Sequence, residues 1–279
     1  MGLEHLGGDW RSWVQHNISR GCDALELAAI LGTHGFSSGT VKHLLGSAVA
    51  ETILSTIDHQ GLSNIKLTRF SDVIPSSGSP LIYRIPTDAF QIYTIAHFLS
   101  DEECDQLVKV VNTQLRPSTL TVQTADLSYR TSKTSDLCFI NDPIVQWVDN
   151  KIANTLGIRL SYAEGTQAQR YDVGEQFKQH TDFFEPGTPE YQQFAATRGN
   201  RTWTFMIYLN TVKRGGGTTF FGIDQTFMPE KGLAIAWNNL YPDGRVNPNT
   251  LHAGLPVEEG EKIIVTKWFR ERGDGPMFL

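Results

Sequence analysis

The chain has 279 residues, of which 40% are hydrophobic and 19% are charged, and its formal net charge is −6. This composition predicts a globular protein with a sizeable core, and no apolar run approaches the ~18 residues that a membrane-spanning helix needs. The acidic balance, without a block of Lys and Arg, disfavours nucleic acid as a partner.

The first ten residues contain no basic segment followed by an apolar segment, so no secretory signal is predicted. The three cysteines, Cys22, Cys104 and Cys138, lie far apart and in no metal-ligand spacing. Such cysteines are typical of a reducing compartment. We therefore expect a cytoplasmic protein that contacts no membrane.

Residues 9 to about 58 are predicted to be helical, because apolar residues recur there at spacings of three and four. A second helix follows Gly32 and Gly35, capped by Ser37 or Ser38. We interpret residues 1–60 as a helical appendage for packing or dimerisation, with a substrate-recruiting module as the alternative. The apolar stripes comprise Trp10, Trp13, Val14, Ile18, Leu25, Ala28 and Leu31, and then Val41, Leu44, Leu45 and Ala48.

Residues 61–84 combine Gly and Pro with several serines and lose this periodicity, so they are predicted to form a linker. The main domain would then span residues 85–279. It begins with an alternating strand at residues 90–95. Next, Ser100 and Glu103 form a capping box, which predicts a helix that supports a sheet from outside.

From about residue 118 the chain shows short β-type runs separated by Gly, Pro, Asn and Asp, with one helix near residues 144–156. The clearest strands cover residues 202–209, 233–237 and 263–269. Many short strands without alternating helices favour a double-sheet β architecture. The predicted fold class is therefore mainly β with supporting helices.

The segment from Tyr171 to Asp182 ends in His180-Thr181-Asp182. Side chains two apart on an extended strand share a face, so His180 and Asp182 can bind one metal ion. The triplet alone is a weak signal. However, His252 is followed ten residues later by Lys262 at the start of an apolar strand, which supplies a third ligand and a fixed cation. Two histidines and one carboxylate are typical of non-haem Fe(II) oxygenases.

Several motifs follow one another in order between about residues 88 and 273. They are Arg130-Thr131-Ser132-Lys133, Tyr171 to Asp182, Arg201 with Tyr208-Leu209-Asn210, Gly215-Gly216-Gly217-Thr218-Thr219-Phe220, Lys231-Gly232, Trp237-Asn238-Asn239-Leu240, His252-Ala253, and Lys262 with Lys267-Trp268. On these motifs the sequence resembles the prolyl 4-hydroxylase branch of the Fe(II)- and 2-oxoglutarate-dependent dioxygenases.

The resemblance implies a double-stranded β-helix, or jelly roll, with the metal at one mouth. It implies Fe(II) as cofactor, 2-oxoglutarate and O₂ as cosubstrates and ascorbate as reductant. His180, Asp182 and His252 would bind the metal. Lys262 would bind the distal carboxylate of 2-oxoglutarate, with hydroxyl groups from Tyr171 and Thr218.

The same resemblance assigns substrate contacts to Arg201, Trp268 and Arg130. A planar guanidinium suits a peptide carbonyl or carboxylate, and an indole face suits a proline ring. Residues 130–136 resemble a mobile loop that closes over substrate, although an ordinary surface loop has the same polar composition. One departure is Phe177, where the family often has Tyr, and Gln179 stands where Pro is common.

We therefore predict a hydroxylase that converts 2-oxoglutarate to succinate and CO₂ and acts on a prolyl residue in a protein or peptide, as procollagen-proline 4-dioxygenases do. A free amino acid or another small metabolite is the alternative substrate. A non-catalytic module that binds metal or 2-oxoglutarate, or a scaffold acting through residues 1–60, is the alternative of another class. The oligomeric state is open.

Overall fold

A computed structural model describes residues 8–19, 24–33, 38–45, 82–121, 126, 128–241 and 243–274. Most of the predicted linker, the end of the predicted helical appendage with Ala48, and Cys22 lie outside these residues. None of the helices in the described ranges has both the length and the apolar character needed to cross a membrane.

Three short helices form the described part of the N-terminal region: α1 Gly8–Ser19, α2 Ala24–Thr33 and α3 Ser38–Leu45. They bury a small core of their own, because their apolar stripes face one another. Its buried members are Val14, Leu27, Ala28, Leu31, Val41 and Leu45. Part of the predicted stripes thus forms a core, although Ile18 is exposed and the first stripe is divided between two helices.

The main domain is built on two antiparallel sheets and three further helices. The larger sheet has the strand order β1-β2-β11-β7-β14-β5-β4-β3, and the smaller one has the order β10-β9-β12-β6, while β8 pairs with β13. The strands in the described residues are β1 Ile82–Arg84, β2 Ile92–Ile95, β3 Arg116–Pro117, β4 Lys133–Ser135, β5 Gln167–Tyr171, β6 Phe177–His180, β7 Arg201–Tyr208, β8 Arg214–Gly215, β9 Thr218–Phe220, β10 Gln225–Phe227, β11 Ala234–Asn238, β12 His252–Gly254, β13 Val257–Glu259 and β14 Lys262–Arg270.

Two helices cover the outer face of the larger sheet. Helix α4 (Asp101–Val111) begins at the predicted capping box, in which the Ser100 hydroxyl accepts from the Glu103 N–H and the Glu103 carboxylate accepts from the Ser100 N–H. Helix α5 (Pro143–Leu156) ends at Gly157 in the left-handed region. Both bury their apolar stripes in one cluster with residues of β7, β11 and β14, so this layer backs the sheet on the side away from the site. The third helix, α6, spans Pro189–Phe194.

The inner face of the larger sheet packs against the smaller sheet. Phe220 and Phe227 from the smaller sheet meet Tyr208, Trp237 and their neighbours from the larger one. Two facing antiparallel sheets, with α4 and α5 on the outer face of the larger one, are the jelly-roll arrangement that the family resemblance implies. One end of this sandwich stays open and contains the candidate site.

Two sequence predictions are wrong in detail. Residues 82–84, assigned to the linker, form β1 and pair with β2. Part of the predicted mobile loop, Lys133–Ser135, is strand β4. This polar segment can lie inside the sheet because the Ser118 hydroxyl bonds the hydroxyls of Ser132 and Thr134, at 2.8 and 2.6 Å.

Candidate active site

Three potential metal ligands converge at the open end of the sandwich. His180 and His252 are direct cross-strand partners on β6 and β12. Asp182 lies two residues beyond the end of β6, so it is outside the strand but still close to the two histidines. One ligand atom from each side chain lies within 4.8 Å of the other two. Among the described residues, these three side chains form the one cluster of at least three His, Cys, Asp or Glu side chains that could hold a metal ion.

Both imidazole rings are oriented by their backbone surroundings. Nδ1 of His180 lies 2.8 Å from the Lys178 carbonyl, and Nδ1 of His252 lies 2.9 Å from the Thr250 carbonyl. A carbonyl only accepts, so each Nδ1 carries a proton, and in the neutral ring Nε2 is the nitrogen left to bind a metal. Burial, together with the neighbouring His252, lowers the pKa of His180 to about 3, which keeps the ring in the neutral form that binds metals.

A chain of buried side chains orients the third ligand. The Trp237 indole N–H donates to Oδ1 of Asn239 at 3.0 Å, and Nδ2 of Asn239 donates to the Thr204 hydroxyl at 2.9 Å. The Thr204 hydroxyl then donates to Oδ2 of Asp182 at 2.7 Å. An indole N–H can only donate, so the direction of every bond in this chain is fixed. Oδ1 of Asp182 is left for a metal.

Asp182 stays ionised in this setting. Burial acts to raise the pKa of its carboxyl, but the two neighbouring histidines, the Arg201 guanidinium and the hydrogen bond from Thr204 outweigh burial and hold that pKa below its usual value. Two imidazoles and one carboxylate are a donor set that suits a divalent transition metal. The residues therefore fit the metal that the sequence predicts.

Lys262 is buried at the start of β14, with 1% of its surface exposed. Burial lowers the pKa of its ammonium group to about 7. Among the described residues no carboxylate lies within ion-pair distance of it; its Nζ has the Thr218 hydroxyl at 3.4 Å. A buried cation without a counter-charge is costly, so this position is suited to the carboxylate of a ligand.

Two tyrosine rings flank this lysine. Tyr171 is its cross-strand partner, and the Lys262 Nζ lies 5.2 Å from the Tyr171 ring centre and 5.6 Å from that of Tyr208. The Tyr208 hydroxyl lies 2.7 Å from the Thr218 hydroxyl. The sequence predicted Tyr171 and Thr218 but missed Tyr208 as part of this group. The two-residue periodicity of β7 could have placed it, because Met206 and Tyr208 face the same side.

A cavity of about 1140 Å³ joins these groups. Its wall includes all the predicted site residues and, in addition, polar side chains from β4 and β5. The predicted residues that line it are Arg130, Tyr171, His180, Asp182, Arg201, Thr218, His252, Lys262 and Trp268. The fold thus brings together residues that are up to 138 positions apart in the sequence.

Arg201 is held by a partner that the sequence did not reveal. Its Nε and Nη2 donate to the two carboxylate oxygens of Glu164 at 2.7 and 2.8 Å. Its Nη1 donates to the Asp182 carbonyl at 3.3 Å, and its guanidinium stacks 4.1 Å from the Trp268 ring centre. Arg270 donates to the same carboxylate at 2.8 Å. The planar fork predicted to bind substrate is therefore occupied by Glu164, and Arg201 also positions the indole and the metal-ligand backbone.

Phe177, the departure noted in the sequence, lies in a stack. Its ring is parallel to that of His180, with ring centres 3.5 Å apart, and the Arg130 guanidinium lies 4.7 Å from its centre. Arg130 also donates to the Thr119 carbonyl at 3.0 Å. An apolar ring at position 177 therefore supports a metal-ligand candidate from the side of the cavity.

Comparison with known proteins gives consistent matches. The model of the 2OG-Fe(II) oxygenase superfamily matches residues 166–270. The prolyl 4-hydroxylase subunit alpha-1 of Gallus gallus is 33% identical over 190 residues, which cover 67% of this chain and 37% of that protein. The subunit alpha-3 of Mus musculus is 35% identical over 181 residues, covering 63% and 33%. The chain thus spans about a third of the length of these relatives.

A solved structure resembles the same region. The viral collagen prolyl hydroxylase of Paramecium Bursaria Chlorella virus-1, in a complex with 2OG, aligns with a TM-score of 0.50 and 27% identity. The alignment covers 64% of this chain and 94% of the viral one. The resemblance therefore extends over almost the whole viral chain.

Proposed function

Because the chain belongs to the prolyl 4-hydroxylase branch of the 2OG-Fe(II) oxygenase superfamily, we propose that it is a 2-oxoglutarate-dependent hydroxylase of prolyl residues in a protein or peptide. The observation that carries the proposal is the convergence of His180, Asp182 and His252 in one cavity with Lys262, a buried lysine that has no carboxylate partner among the described residues.

Each of these residues has a role in the proposal. Nε2 of His180, Nε2 of His252 and Oδ1 of Asp182 would hold Fe(II). When bound, Fe(II) supplies, with O₂ and 2-oxoglutarate, the oxidation that places one oxygen atom in a C–H bond and the other in succinate, with loss of CO₂. Lys262 binds the distal carboxylate of 2-oxoglutarate, and the nearby hydroxyls of Tyr171 and Thr218 orient it.

The substrate would enter at the rim that Arg130, Arg201 and Trp268 form. The Trp268 indole offers an apolar face for a proline ring, and Glu164 holds Arg201 against that indole so that its orientation is fixed. Arg130 is partly buried and has no carboxylate within ion-pair distance in the described part of the chain, so it suits a carbonyl or carboxylate of the substrate.

The test is succinate formation from 2-oxoglutarate with Fe(II) and air, with and without a proline-rich peptide. We expect turnover that rises with the peptide and a peptide product heavier by one oxygen atom. His180→Ala should abolish turnover, whereas His43→Ala, at an exposed histidine of α3, should not. Turnover that the peptide does not change would favour the small-metabolite alternative. Binding of 2-oxoglutarate without succinate release would favour a non-catalytic module.

Three further parts of the proposal extend beyond the site. Ascorbate would restore the reduced metal, which predicts that it prolongs turnover in the same assay. A cytoplasmic location is proposed from the sequence and is tested by fractionation of the native host. Residues 1–60 are proposed to be an appendage, so a protein that begins at residue 61 should fold and retain activity on a short substrate.

A further inference from the structure

Gln169 lies in the middle of β5 and lines the cavity, but it is neither a candidate metal ligand nor one of the predicted contacts to 2-oxoglutarate or substrate. It is 2% exposed, and its neighbours Gln167 and Tyr171 line the same wall. Its cross-strand partners are Thr134 on β4 and Ile264 on β14. A carboxamide is thus buried in the wall of the cavity.

Half of this carboxamide has a partner and half has none. Its Oε1 accepts a hydrogen bond from the Thr266 hydroxyl at 3.0 Å. Its Nε2 is buried and has no hydrogen-bond partner. Buried polar atoms are rarely left unpaired, because the lost hydrogen bonds to water are not replaced. An unpaired donor in a cavity wall therefore indicates the place of an acceptor on a bound molecule.

Two other cavity-lining residues also have a buried N–H donor without a partner, so they too call for an acceptor on a bound molecule. These donors are Nε of Arg130 and Nε1 of Trp268. In the described part of the chain, every unpaired buried side-chain atom that lines the cavity is an N–H donor. A complementary ligand must present acceptor oxygens to this wall.

The position of Gln169 shows which part of a ligand it would meet. Along β14 the residues Lys262, Ile264, Thr266 and Trp268 line the cavity in turn. Gln169 pairs opposite Ile264 and bonds to Thr266, so it lies between the lysine that would hold 2-oxoglutarate and the indole at the rim. An oxygen at this point belongs either to 2-oxoglutarate or to the substrate.

We propose that Gln169 is a ligand-binding residue, whose Nε2 donates a hydrogen bond to a carboxylate or carbonyl oxygen of a molecule bound in the cavity. This inference rests on the proposed function, which supplies the two candidate molecules. It adds a donor from β5 to the cosubstrate and substrate contacts predicted from the sequence.

The test compares Gln169→Met with Gln167→Met. Both substitutions replace a cavity-lining glutamine of β5 by an apolar side chain of similar length, but the Gln167 amide already donates to Asp136 at 3.0 Å. Affinity for 2-oxoglutarate is measured by calorimetry with Mn(II) in place of Fe(II), which prevents turnover. KM is then measured for the proline-rich peptide or free L-proline, whichever the wild type hydroxylates.

Gln169→Met should weaken one ligand about 3- to 10-fold if the acceptor is a neutral carbonyl, and about 10- to 100-fold if it is a carboxylate. A weaker 2-oxoglutarate affinity identifies the cosubstrate as the source of the oxygen, and a raised KM alone identifies the substrate. Gln169→Glu, which keeps the shape but offers only acceptors, should weaken the same ligand further. Gln167→Met should change neither value more than about twofold.

Equal values for Gln169→Met and the wild type, in both measurements, would overturn the inference while leaving the proposed function intact. A wild-type protein that binds no 2-oxoglutarate in the presence of Mn(II) would overturn both. Thermal unfolding of each variant without ligands separates binding from folding. Gln169→Met removes an unpaired buried donor but also removes the acceptor of the Thr266 hydroxyl, so the unfolding temperature should fall modestly, and affinities are compared at temperatures where each variant is fully folded.

Discussion

Replacing Thr204 by Val removes one hydroxyl and leaves the volume of the side chain nearly unchanged. That hydroxyl donates to Oδ2 of Asp182 at 2.7 Å, and both residues are buried. Removing a group that orients a metal ligand typically weakens metal binding 10- to 100-fold. This corresponds to about 1.4–2.8 kcal/mol, which is within the range expected for a hydrogen bond to a charged acceptor.

The same substitution has a second, separable effect. Nδ2 of Asn239 loses its acceptor, so a buried donor is left unpaired and the free energy of unfolding should fall by about 1–3 kcal/mol. Thr204→Ser keeps the hydroxyl and should restore most of both losses. Metal affinity is measured by calorimetric titration with Mn(II) in the absence of 2-oxoglutarate, and stability is measured by urea unfolding.

The reasoning would be refuted if the Thr204→Val protein bound Mn(II) as tightly as the wild type. A loss of stability with unchanged metal affinity would mean that the hydrogen bonds from Trp237 through Asn239 to Thr204 stabilise the sheet but do not orient Asp182.

Three further predictions concern charge and packing. Burial lowers the pKa of Lys262 to about 7, and 2-oxoglutarate needs the charged form of this lysine. The affinity for 2-oxoglutarate should therefore be constant below pH 7 and fall up to tenfold per pH unit above it, with proton uptake visible as buffer-dependent calorimetric enthalpies. An affinity that stays constant up to pH 9 would contradict this. Glu164→Gln leaves the guanidinium groups of Arg201 and Arg270 without a counter-charge and should lower the free energy of unfolding by about 2–4 kcal/mol. Glu258→Gln, in an exposed ion pair, should lower it by under ~1 kcal/mol. Equal losses in urea unfolding would show that burial does not strengthen the Glu164 ion pairs. Gly222→Ala places a methyl group 2.2 Å from the Asn249 carbonyl oxygen and should cost about 1–3 kcal/mol, so an unchanged melting temperature would show that this turn yields easily.

The sequence predicted those features that depend on residues close together or on one spacing. The capping box of Ser100 and Glu103 needs four consecutive residues, and it is present. The candidate metal-ligand set was predicted from a two-residue spacing at His180 and Asp182 and from the distance between His252 and Lys262, and these histidine and aspartate side chains do lie together. The long strand β14 follows from its apolar run.

The features that could not be predicted depend on pairs that the fold alone brings together. Strand β4 consists of Lys133, Thr134 and Ser135, whose polarity indicates a loop; only the hydroxyl of Ser118, from another strand's end, lets Thr134 be buried. The pairing of Arg201 with Glu164 spans 37 positions and has no periodic signal. Hydrogen bonds between distant polar residues carry no pattern along the chain, so propensity and spacing do not reveal them.

The direct pairing of His180 with His252 ties the alignment of the smaller sheet to metal binding. Strands β9, β10 and β12 have three residues each, so few backbone bonds define their alignment. A slip by one residue would turn His252 to the opposite face and remove it from the triad. A bound metal ion would therefore select the correctly aligned sheet during folding, and the yield of well-formed protein would depend on the metal content of the cell in which it is made.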